Sequence, residues 1–135
     1  MRKKQIKLAA LLLLASIFAN ADEVKLEKGV GFNSINEALT FLKAKTTVTF
    51  NITKPDGWLI GNDTSPLAVW SFTPEGHYAH PAVVKRELKQ NEDGGVYMKT
   101  TALCQAEKES CDRLIEEFEQ LNKKMRKNVQ EKLSK

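Results

Sequence analysis

The chain has 135 residues and carries 21 Lys and Arg against 17 Asp and Glu, a formal charge of +4. Four of the basic residues (Arg2, Lys3, Lys4 and Lys7) and none of the acidic ones lie in the first 21 positions, so the remainder balances at 17 against 17. That balance gives no support for nucleic-acid binding, which needs an excess of Lys and Arg clustered on the domain, and the length that remains suits one domain with one core.

The first segment reads "MRKKQIKLAALLLLASIFANA". A basic start, an uncharged apolar run from Leu8 to Ala19 and the small-x-small Ala19-Asn20-Ala21 match a secretory signal peptide. The apolar run falls short of the about 20 residues that a membrane-spanning helix needs. Cleavage after Ala21 is expected, leaving a single domain over residues 22–135 with no stable membrane insertion. The compartment expected is the periplasm or the exterior. No cysteine stands at the cleavage position, so an acylated lipoprotein is not expected.

Residues 22–33 read as an irregular or short extended lead-in. Ser34 with Glu37 three residues on forms a capping box, in which each side chain satisfies a free N–H at a helix start. Ile35, Ala38, Leu39 and Leu42 then share one stripe, predicting a short helix from Ile35 to about Lys45. In "TTVTFNIT" Val48, Phe50 and Ile52 alternate with polar residues, the period of a half-buried strand. Pro55-Asp56-Gly57 closes it as a turn. Two short strands are expected next, Trp58–Ile60 and Leu67–Thr73, joined by Gly61-Asn62-Asp63 and Ser65-Pro66. Apolar residues on both faces of the second suggest a strand inside the sheet or one covered on both sides.

The clearest strand pair flanks Asn91-Glu92-Asp93-Gly94-Gly95. Setting Leu88 opposite Met98 aligns the apolar faces and leaves Glu92-Asp93-Gly94 as a three-residue loop, with Gly94 at the left-handed position. Arg86 then points inward, with its head either in water at the sheet edge or paired with a buried carboxylate. Finally, Cys111, Leu114, Ile115, Phe118, Leu121, Met125 and Val129 repeat at three and four, the stripe of a long helix. Its first half is acidic and its end basic, an order that suits the helix dipole. The fold expected is α+β: an antiparallel meander of about four strands, with a short N-terminal helix and a long C-terminal helix packed on one face.

Cys104 and Cys111 are the only cysteines. In an exported chain they are expected to form a disulfide. Zinc needs more ligands than two thiolates, and six residues intervene where a redox pair usually has two. This bond would staple the last helix to the sheet.

The stretch "WSFTPEGHYAHPAVVKR" holds more side-chain chemistry than a connector requires. Trp70, Phe72, Glu75, His77, Tyr78 and His80 are the candidate binding residues, with the aromatics serving as a core or as an interface platform. His77 and His80 form a His-x-x-His pair that could take Cu or Zn, with Glu75 or Met98 as a third ligand. Glu75 beside His77 is the weak acid–base alternative. No nucleophile elbow, zinc-protease motif, phosphate loop or dinucleotide turn occurs, so neither catalysis nor a cofactor is expected. The basic end of the last helix could meet anionic lipid or an acidic partner.

The run "LAVWSFTPEGHYAHPAVVKR", followed by a hairpin and "CQAEKESCDRLIEEFEQLN", resembles small exported bacterial proteins of unassigned role. It implies export and paired cysteines before a final helix, and no activity. The function expected is a non-enzymatic binding or protein-interaction domain acting on a protein or envelope ligand, with its surface at the Pro74–Pro81 loop. The alternatives are a periplasmic Cu or Zn protein using His77 and His80, and an envelope accessory protein that docks a partner through its C-terminal helix.

Overall fold

The structure, a computed structural model, describes residues 30–134, so the leader, its cleavage position and most of the lead-in lie outside the described residues. Among the described residues no helix is long and apolar enough to cross a membrane. Helix α1 spans Ile35–Ala44. The Ser34 hydroxyl accepts from the Glu37 N–H at 3.1 Å, while the Glu37 carboxylate reaches past Ser34 to the Asn33 N–H at 3.0 Å. The capping box therefore forms with its return arm shifted by one residue. Ala38 and Leu42 form the buried stripe of α1.

Five strands follow: β1 Val48–Ile52, β2 Leu59–Thr64, β3 Leu67–Phe72, β4 Ala82–Gln90 and β5 Val96–Cys104. They form one antiparallel sheet in chain order. The sheet has five strands where about four were expected, one for each of the five strand-like runs in the sequence. Strand β2 is longer than expected because it continues through Gly61-Asn62-Asp63, which composition marks as a connection. Asp63 lies within that strand instead of in a turn. Its carboxylate accepts from Lys45 Nζ at 2.5 Å, Thr47 Oγ1 at 2.7 Å and the Ser65 N–H at 3.0 Å. These bonds hold its pKa below the ordinary carboxylate value against a burial effect that pushes it up. Thr64 pairs with Leu67, so only Ser65-Pro66 turns the chain. Gly61 lies opposite Phe50, whose ring edge comes to 3.0 Å from the place a Cβ would occupy. A side chain there would displace the ring.

The β4–β5 hairpin has the expected register, Leu88 opposite Met98, and Gly94 adopts φ +90°. The bond from Asn91 N–H to Gly95 O at 2.7 Å closes the three-residue loop.

Helix α2 spans Lys108–Leu133. Cys104 and Cys111 form a disulfide with Cα atoms 5.8 Å apart, within the usual bridging range, and tie the end of β5 to the first turn of α2.

The two helices lie on opposite faces of the sheet, which corrects the expectation that they share one. Strand neighbours show it, because successive side chains point to opposite faces. Val83 and Leu103 join Leu42, Trp70 and Phe72 in the layer under α1. The next-door Val84 and Ala102 join Leu114 in the layer under α2. The central strands need apolar residues on both sides because both sides are covered.

Candidate functional site

The 74–81 loop joins β3 to β4 and folds against α2. Gly76 at φ +87° lets it turn. The His77 N–H bonds to Pro74 O at 3.2 Å and the His80 N–H to His77 O at 2.9 Å. Ala79 is fully buried beside Leu114 and anchors the loop. Tyr78 donates its hydroxyl to Glu117 at 2.8 Å, and Arg113, itself bonded to Glu117 at 3.1 Å, lies 4.2 Å over the Tyr78 ring. Burial first, then the Glu117 carboxylate, pushes the Tyr78 pKa up to about 12. The hydroxyl therefore remains a proton donor throughout the physiological range.

His77 packs 4.3 Å from the Tyr78 ring and 5.0 Å from Trp58, with Trp58 in turn 5.8 Å from Phe118. Burial lowers the His77 pKa, helped by Arg113 and His80 and opposed by Glu117. Its Nδ1 accepts from the Ala79 N–H at 3.1 Å, so in the neutral ring Nε2 carries the proton. His80 is turned the other way. Its Nδ1 lies 3.1 Å from the Thr73 carbonyl and 2.9 Å from the Thr73 hydroxyl. A carbonyl only accepts, so Nδ1–H donates and Nε2 keeps the lone pair. The two rings thus present one free lone pair between them, where a chelating pair needs two.

The other candidate residues are dispersed. Trp70 and Phe72 are 4% and 5% exposed, in the layer under α1, while Tyr78 lies on the α2 side. These aromatics do not form one surface, and Trp70 and Phe72 belong to the core. Glu75 is exposed, and no hydrogen bond joins it to His77 among the described residues. Met98 pairs with Leu88, six strand positions from Ala82 where the loop ends, or about 20 Å at the usual rise. Among the described residues no group of three or more His, Cys, Asp or Glu side chains is placed to hold a metal ion.

A different region stands open. Along α2 the apolar stripe loses its cover: Leu114 is 0% exposed, Leu121 41%, Val129 55% and Leu133 81%. Beside the second half of α2 lie the exposed Leu88, Val96 and Tyr97 of the hairpin. Arg86 is half-buried, and among the described residues no carboxylate pairs with it. Its guanidinium sits 5.4 Å over the Phe118 ring and donates to Met125 Sδ at 3.6 Å. Helical periodicity identifies the stripe but carries no signal for where the sheet beneath it ends.

No family model, curated protein or solved structure matches the chain.

Proposed function

We propose that this is an exported, non-enzymatic interaction protein of the cell envelope, and that its docking surface is the second half of α2. The observation that carries this reading is the uncovered stripe Leu121, Met125, Val129 and Leu133, each at least two-fifths exposed. Contiguous exposed apolar surface on a small domain marks an interaction site more often than a decorative one. The Tyr78 loop is the weaker candidate, because its aromatics are spent on holding α2. The leader supports export, as does the resemblance to small exported bacterial proteins.

A photo-crosslinking amino acid placed at Leu121 or Leu133 in cells should give a discrete adduct, and one at Glu75 in the loop should not. Adducts from Glu75 alone would return the surface to the loop. N-terminal sequencing of the exported protein should begin at Asp22.

A further inference from the structure

Five charged side chains of the sheet are buried or half-buried: Asp63, Lys85, Arg86, Glu87 and Lys89. Four are paired, Asp63 with Lys45 and Glu87 between Lys85 and Lys89. These four point toward the α1 face. Arg86 alone points toward the α2 face, and among the described residues no carboxylate meets it. Burial depresses its pKa with no neighbouring charge acting on it. Its Nε is buried without a partner, and so is Oδ1 of Asn122. Asn122 bonds to Thr100, the cross-strand neighbour of Arg86, at 2.6 Å. A guanidinium taken from water without a counter-charge is unfavourable, and a carboxylate is its best-matched partner.

Arg86 also lines a cavity of about 220 Å³ with Leu67, Val69, Leu88 and Met98; Asp63 borders it too, with its carboxylate engaged by Lys45 and Thr47. A second cavity, of about 300 Å³, lies between the hairpin and α2 and is lined by Leu88, Met98, Val96, Met125 and Val129. The two share Leu88 and Met98 and form one shallow apolar trough, with Arg86 on one side and Arg126 at its rim.

We propose that this trough is a binding site for an aliphatic carboxylate, its alkyl chain lying over Leu88 and Met98 and its carboxylate on the Arg86 guanidinium. The trough is apolar enough to take the chain, and the Arg86 guanidinium has the sign and fork geometry that a carboxylate matches. The trough shares Met125 and Val129 with the docking surface. Titration of the purified protein reads the small-molecule site and crosslinking in cells reads a protein partner, so the two readings fail separately.

The test is calorimetric titration of the purified protein with decanoate, decanol and decyltrimethylammonium, with amide NMR shifts to locate the site. Decanoate should bind most tightly and shift the amides of Leu88 and Met98. Arg86→Gln should weaken decanoate about tenfold or more while changing decanol less than about twofold, the size of effect expected for a charge-assisted bond. Leu88→Asp, at an exposed position that does not threaten folding, should abolish decanoate binding. Equal affinity for decanoate and decanol, shifts centred on the Tyr78 loop, or decanoate binding unchanged in Leu88→Asp would each overturn the proposal. So would the absence of binding at millimolar decanoate.

Discussion

The two halves of α2 have the same stripe and opposite fates. In the first half a disulfide, the buried Leu114 and the Tyr78–Glu117–Arg113 clasp hold the helix to the sheet. In the second half the stripe continues through Leu121, Met125 and Val129, which stay two-fifths or more exposed, and an open cavity separates Met125 and Val129 from the hairpin. Periodicity makes a helix face apolar; only the reach of the neighbouring element decides whether that face is core or surface.

The largest test of this contrast compares equivalent truncations. Leu114→Ala should cost about 2–5 kcal/mol, as for other fully buried leucines, while Val129→Ala should cost less than about 0.5 kcal/mol. Urea unfolding measures both, and equal losses would break the distinction between the halves. Next, replacing both Cys104 and Cys111 by Ala should remove about 2–3 kcal/mol through the freed small ring. Amide exchange should then quicken in the first half of α2 more than in the second, because only the first half is tethered.

A smaller effect is expected at the clasp. Tyr78→Phe removes a partly exposed hydrogen bond to a carboxylate and should cost about 1 kcal/mol, read from the thermal midpoint. In the parent protein, ultraviolet titration of Tyr78 should lag behind ordinary tyrosine, near the value of about 12 set by burial and Glu117. The smallest effect concerns pH. The folded state lowers the His77 pKa from 6.5, so the unfolded chain binds more protons in that range. The stability contributed by neutral His77 is present above the ordinary histidine pKa and is lost as pH falls through the lower folded value. Stability curves measured across this window should flatten in His77→Gln; an unchanged slope would show that the proton goes elsewhere.

Much of the local structure was legible. Ser34 with Glu37 marks the start of α1 because capping is a contact over three residues. Leu88, Met98 and Gly94 together establish the hairpin register, since face parity and turn conformation must agree. The cysteine pair was legible because the chain holds two thiols seven positions apart, one ending a strand run and the other opening a helix stripe. Composition misled at Asn62-Asp63, where turn-forming residues continue a strand because Lys45 and Thr47, distant in sequence, engage Asp63. The candidate site was the least legible part. Trp70, Phe72 and Tyr78 are close in the chain, yet the first two lie under α1 and the third faces α2.

By itself, then, the sequence determined the α+β class, the hairpin, the capped helix, the amphipathic last helix and the tether at its start. Each of these depends on residues a few positions apart or on the period of a single element. Only the tertiary structure decided that the helices take opposite faces, that the histidine rings turn their Nδ1 atoms to different partners, and that Arg86 lies unpaired beside an open trough. Those outcomes depend on which elements meet and how far each one extends, and neither quantity is encoded within any one segment.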